Sequence, residues 1–210
     1  KKTLPNENFI YYKDSINNPY GEKSEEEIYT ICKTIVNKLI AKNVKLIVIA
    51  CNTATSAAVS ELRRTYPDLP LVGIEPAIKP AVEMNKGGKI LIMATPMTIK
   101  QEKFNLLLNK YKDKADIVPI QCAGLMEFIE EGILSGSQLE EYLKDKLCIY
   151  KKEEIASIVL GCTHYPFVKE TIEKVVGSGI AIIDGGEGTA REIKRRLKEK
   201  NLLTNRSTKG

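Results

Sequence analysis

The sequence predicts an α/β protein of two similar halves, each a mostly parallel sheet flanked by helices, with an active site in the cleft between them. Three observations lead there. Strand-like and helical patterns alternate along nearly the whole chain, the signature of βαβ units and parallel pairing. Two short segments read almost as copies of each other: Ile47-Val48-Ile49-Ala50-Cys51-Asn52-Thr53 and Ile158-Val159-Leu160-Gly161-Cys162-Thr163-His164. In each, an apolar run typical of strands buried on both faces stops at a small residue, a cysteine and then polar side chains, and ligands collect past the carboxyl ends of such strands. The two cysteines stand 111 residues apart, the length of a small domain.

The elements follow in order. A short strand is expected over 8–12, followed by the loop Asp14-Ser15-Ile16-Asn17-Asn18-Pro19-Tyr20-Gly21. Ser24 and Glu27 make a capping box, and Ile28, Ile31, Cys32, Ile35, Val36, Leu39 and Ile40 repeat at helical spacing, so a sheet-covering helix runs over 24–40 with Cys32 in its apolar stripe. Strand 45–50 leads to a helix after Thr53, strand 71–74 to a helix from Pro76, and strand 89–94 to a helix capped by Thr98 with Gln101. Strand 117–120, a helix over 125–131 and a second capped helix opening at Ser137 with Glu140 come next, with Cys148 packed near its end. Strand 155–160, a helix, strand 180–183 and a last helix from Gly188 complete the pattern, and the tail 205–210 reads as frayed. Proline and glycine punctuation at 74–77 and 184–188 places the boundaries, giving a discontinuous first domain, 1–75 plus 188–210, around a second, 76–187.

Composition narrows the function class. With 43% apolar residues in 210 and no apolar run of membrane-spanning length, the chain reads as a globular, soluble, cytoplasmic protein with no membrane partner. Five widely spaced cysteines suit reduced thiols rather than a disulfide framework or a zinc knuckle. The net charge of +5 is spread out, and its densest patch, 194–200, lacks interleaved aromatic residues. It reads as a solvated helix face, with no nucleic-acid partner expected. The glycines of 184–188 do not form GxGxxG and no P-loop occurs, so no cofactor is indicated.

A single cysteine ending a buried strand is ordinarily core; two in matched settings are not. A thiol on each face of a bound carbon is what removal and return of a proton from opposite sides requires, so the pair Cys51 and Cys162 predicts inversion of a stereocentre. One must start as thiolate and the other as thiol, although a free thiol with a pKa of about 8.5 is only slightly ionised at neutral pH. Helix N-termini opening after Asn52-Thr53 and Thr163-His164 would supply amide donors and partial positive charge. His164, the only histidine, stands two residues past Cys162 and can exchange a proton with it. Cys162 and His164 lack metal-ligand spacing, so no metal is expected. Read alone, Cys162 with His164 equally suits a thiol hydrolase, a scheme that leaves Cys51 without a role.

Ala50-Cys51-Asn52-Thr53-Ala54, Gly161-Cys162-Thr163-His164-Tyr165-Pro166 and Pro19-Tyr20-Gly21 together resemble the three signatures of the glutamate racemases, cofactor-independent enzymes of the aspartate/glutamate racemase superfamily. The resemblance extends over essentially the whole chain, including Thr95 and the Asp184 turn. It implies two pseudo-symmetric domains with glutamate between them, supply of D-glutamate for the peptidoglycan cell wall, and a homodimer. It also implies Cys51 and Cys162 as the acid/base pair with His164 assisting, Tyr20, Gly21, Asn52, Thr53, Thr163 and His164 as substrate-binding residues, and Glu130 as a group orienting His164. One departure is marked. The family opens with a strand ending in Asp-Ser that assists the first cysteine; here Asp14-Ser15 falls in the family's next strand and nothing matches the first. The expectation is a glutamate racemase whose chain, as it stands, lacks that strand, cut away or lost from the protein, and so an inactive fragment; the rival is a binding protein that keeps the glutamate cleft without turnover.

Overall fold

In the computed structural model, residues 2–85, 87–208 and 210 are described. The chain divides into two units, residues 1–74 with 186–210, and residues 75–185.

In the first unit, the Ser24–Glu27 capping box forms in full and starts helix α1 (Glu25–Ile40). Strands β1 (Ile47–Ile49) and β2 (Leu71–Gly73) pair in parallel, joined by helix α2 (Asn52–Thr65). Ile28, Cys32 and Val36 of α1 meet Ala54, Ala58 and Leu62 of α2 and Ile47 and Leu71 of the strands in one apolar core. Burial of a side chain such as Leu62 contributes about 2 kcal/mol. Cys32, desolvated there, has its thiol pushed up to about 12 and is a packing residue. The expected strand over 8–12 is absent: the segment is irregular, and Phe9, Ile10, Tyr11 and Tyr12 are all exposed. In the described part of this unit only β1 and β2 form a ladder, and an apolar run makes a strand only where a partner strand and a covering layer exist.

The second unit holds a four-stranded, wholly parallel sheet in the order β4-β3-β5-β6, from β3 (Lys89–Ala94), β4 (Asp116–Gln121), β5 (Ile155–Leu160) and β6 (Ala181–Asp184). Because successive side chains point to opposite faces, Leu91, Met93, Ile158 and Leu160 enter one core and Ile90, Ile92 and Val159 the other. Helices α6 (Leu125–Glu130), α7 (Ser137–Leu147) and α8 (Lys169–Val176) cover the first face. Helices α3 (Ile78–Met84) and α5 (Glu102–Asn109) cover the second. The chain leaves β3 toward β4 and returns to place β5 on the other side. The carboxyl ends of β3 and β5 therefore flank the point where strand order reverses, the crevice in which open α/β sheets hold ligands.

Several local expectations are corrected. The helix expected from Thr98 is two: α4 (Pro96–Lys100), capped by Thr95 Oγ1 accepting from Thr98 N at 3.2 Å, and α5, separated by extended Gln101. Proline at the first helical position starts the helix earlier than the Thr98 motif suggests. At α7 the Ser137–Glu140 box does not form; Gly136, at φ 107°, is the N-cap, Ser137 is already helical, and Glu140 pairs with Lys174. Cys148, the C-cap of α7, is exposed rather than packed. The tail is not frayed: Asn6 Nδ2 donates to Arg206 O at 2.7 Å and Gly210 N to Pro5 O at 3.0 Å. In the last helix, α9 (Gly186–Glu199), the basic patch is a solvated face whose Arg195 and Arg196 bond Glu192 and hold its carboxyl down to about 2.

Candidate active site

Cys51 follows β1 and is itself the N-cap of α2, in extended conformation with its sulfur accepting from Ala54 N at 3.5 Å. The helix thus begins one residue after the thiol, earlier than the expected opening beyond Thr53. Thr55 fixes the junction from behind, its hydroxyl donating to Ile49 O at 3.1 Å and its amide to Cys51 O at 2.8 Å. Two opposed effects act on the Cys51 thiol. Burial raises its pKa; the Ala54 and Thr53 amides and the Thr53 hydroxyl pull it down, and burial prevails. Asn52 and Thr53 are both buried at this helix start. Asn52 Oδ1 is buried without a hydrogen-bond partner among the described residues. An orphaned acceptor of this kind costs stability unless a donor from a ligand or solvent meets it, and an ammonium or amide group is the complementary chemistry.

Tyr20 opens a short 3₁₀ turn, Tyr20–Glu22, that lies against α2. Its ring joins the core cluster that also receives Cys51, and its hydroxyl donates to Asp14 Oδ2 at 2.8 Å. Gly21 has open space where a side chain would project. The sequence places Asp14 in the loop after 8–12 without showing its contact with Tyr20. The available signal was the Asp14-x-x-Asn17 spacing of an Asx-type turn, and Asn17 does bond the Asp14 carboxylate.

In the second unit, Gly161 links β5 to Cys162. Its amide donates to Met93 O at 2.7 Å, and an added Cβ would stand 2.7 Å from that same oxygen and 3.2 Å from Ala94 Cβ. Only glycine lets the end of β5 approach β3 so closely. Cys162, nearly buried, faces His164 Nδ1 at 3.7 Å, and His164 Nε2 lies 2.7 Å from Glu130 Oε1 at the end of α6. With the carboxylate accepting, Nε2 carries the ring proton and Nδ1 offers its lone pair to the thiol. Thr163 is half-buried between Cys162 and His164. Tyr165 anchors the loop from below, buried, with its hydroxyl donating to Cys122 O at 3.3 Å. The expected helix N-terminus after Thr163-His164 is a 3₁₀ turn, Tyr165–Val168, leading into α8. Thr95, at the carboxyl end of β3, is buried and shares a 2.9 Å hydroxyl contact with Thr98. Cys122 is a packing thiol pushed up to about 12 by desolvation.

Each unit therefore presents one cysteine immediately past a parallel strand, joined to proton-handling or amide groups. The first unit brings together Cys51, Asn52, Thr53 and Tyr20; the second brings together Cys162, His164 and Glu130. Residues 7–193 match the family model described as Asp/Glu/Hydantoin racemase. This chain belongs to that family. It is 56% identical over 209 residues to a glutamate racemase of Clostridium botulinum (strain Alaska E43), with all of this chain and 81% of that protein covered. A glutamate racemase of Clostridium novyi is 52% identical over the same length. Among solved racemase structures, that of Francisella tularensis glutamate racemase in complex with D-glutamate superposes with a TM-score of 0.83 at 30% identity, covering 98% of this chain and 77% of that one. Thermus thermophilus glutamate racemase in complex with β-chloro-D-alanine gives 0.80 at 29% identity, covering 100% and 77%.

Proposed function

We propose that this protein interconverts L- and D-glutamate without a cofactor, Cys51 and Cys162 serving opposite faces of the substrate α-carbon. The observation that carries the reading is the matched pair of strand-end thiols, each with its own means of handling a proton, in a chain whose relatives are glutamate racemases. In one direction a thiolate takes the α-proton and the opposite thiol returns one to the other face; in the reverse direction the roles exchange. At Cys162 the His164–Glu130 pair accepts the thiol proton and stabilises the imidazolium that results. At Cys51 the α2 amides and the Thr53 hydroxyl stabilise the charge as it forms. Asn52 and Thr53, with the turn of Tyr20 and Gly21, hold the amino and carboxylate groups on one side, and Thr163 and His164 do so on the other. The thiol-hydrolase reading gives Cys51 no task and finds no support among the relatives.

The product serves peptidoglycan synthesis, the protein works in the cytoplasm, and it assembles as a homodimer; sedimentation with and without glutamate tests the last point. The activity is tested by incubating L-glutamate with the protein in deuterium oxide, with no pyridoxal phosphate and with a chelator present. D-glutamate carrying α-deuterium is expected. Binding of both enantiomers by calorimetry with no α-exchange would replace the enzyme reading with that of a glutamate-binding protein.

A further inference from the structure

The Asp14 carboxylate is the centre of a small polar cage. Asn17 Nδ2 donates to both of its oxygens, at 3.0 and 2.9 Å, Asn17 N to Oδ1 at 3.4 Å, and the Tyr20 hydroxyl to Oδ2 at 2.8 Å. The Asp14 group is half-buried, and although burial alone would raise its pKa, the Tyr20 and Asn17 bonds more than offset this and keep it ionised. These bonds close the loop 14–20 on itself, while the Tyr20 ring and Cys51 both pack against the apolar core of the first unit and the Tyr20–Glu22 turn rests on α2. The Tyr20 ring thus links the caged carboxylate to the core cluster against which Cys51 also packs. A phenol free of the cage would keep its apolar contacts but lose the hydrogen bond that ties the Tyr20–Glu22 turn to Asp14.

We propose that Asp14 is a positioning residue of the Cys51 half-site, holding the Tyr20–Gly21 turn in place through the Tyr20 hydroxyl with Asn17 as its support. This rests on the racemase reading above for its kinetic consequence, though not for its structural one. Asp14 touches no reacting atom; it acts through Tyr20.

The test uses the whole chain and four variants: Asp14→Ala, Asp14→Asn, Tyr20→Phe and the double variant Asp14→Ala with Tyr20→Phe. Loss of one hydrogen bond to a charged group corresponds to a change of about tenfold or more, so Asp14→Ala and Tyr20→Phe are each expected to raise the KM for glutamate about tenfold with kcat within about twofold. The double variant is expected to match the single ones, because both remove the same contact. Asp14→Asn, which leaves an acceptor for the phenol, restores most of the loss. A purely structural role gives the opposite pattern, kcat falling with the folded fraction while KM stays constant, and that result overturns the proposal, as does a double variant whose effects multiply. Iodoacetamide labelling read by mass spectrometry separates this from the functional reading. Cys51 is expected to label several-fold faster in Asp14→Ala and Tyr20→Phe than in the unaltered chain, with Cys162 unchanged. Should the unaltered chain fail to racemise glutamate, the activity assignment falls, while Cys51 labelling in Asp14→Ala and Tyr20→Phe at the rate of the unaltered chain would overturn the positioning role itself.

Discussion

Glu130→Gln probes the proposed relay at Cys162 with almost no change in shape. The amide keeps an oxygen that can accept from His164 Nε2 across the present 2.7 Å, so packing and ring orientation survive and only the negative charge is removed. What is lost is the extra strength of a hydrogen bond to an ionised acceptor, about 1.5–3 kcal/mol when sheltered. The two side chains are 25% and 34% exposed, so solvent screening favours the lower end, about 1.5 kcal/mol. At 1.4 kcal/mol per decade, kcat should fall about tenfold in the direction whose first step is deprotonation by Cys162, and less in the other. The assay is the initial rate of α-deuterium incorporation from each enantiomer, with circular dichroism confirming an unchanged fold. A second arm replaces His164 by Gln: in the proposed relay the carboxylate acts through the ring, so Glu130→Gln added to His164→Gln should cost little further. Equal kcat in the unaltered protein and Glu130→Gln, or full additivity of the two substitutions, would refute the relay.

Other consequences follow from burial and charge. Glu7 is buried and bonded by Lys45 Nζ at 2.7 Å and Thr204 N at 2.8 Å, and although burial raises its pKa, these partners lower it on balance. A depressed carboxylate contributes stability above its unfolded pKa and loses it as pH falls through the folded value. Glu7→Gln should therefore cost about 2 kcal/mol in urea unfolding at pH 7, the difference shrinking below about pH 4.5; a pH-independent difference would contradict the pairing. Gly161→Ala forces a methyl onto Met93 O and should lower stability by about 1–3 kcal/mol and slow turnover by displacing Cys162, which thermal unfolding and initial rates will show. Since burial raises the Cys51 pKa, its labelling by iodoacetamide in the free protein should climb with pH through a midpoint above the usual thiol range, and a plateau reached by pH 7 would contradict that.

Much of this was legible because the informative residues are local and redundant. β3 and β5 fall on the expected strands, and α1 begins at its capping box, since a buried parallel strand and a capped amphipathic helix write their signals into adjacent positions. The strand-end cysteines stood out for the same reason. Illegible were features decided by tertiary context. The strand expected at 8–12 lacks a ladder partner among the described residues and stays irregular. Ser137 is displaced as a cap by Gly136, and Glu140 is drawn to Lys174 on another helix. The Asp14–Tyr20 bond depends on how the 14–20 loop closes beyond the Asp14-x-x-Asn17 turn, and the orphaned Asn52 oxygen on which neighbours surround it.

Exchange at the α-carbon in single-cysteine variants tests most directly the proposal that Cys51 and Cys162 have mirrored duties. With Cys51→Ala and Cys162→Ala each offered L- and D-glutamate separately in deuterium oxide, neither should racemise. Each should still wash out the α-hydrogen of one enantiomer without inverting it, and the two variants should choose opposite enantiomers. Washout of the same enantiomer by both, or racemisation surviving either substitution, would contradict it.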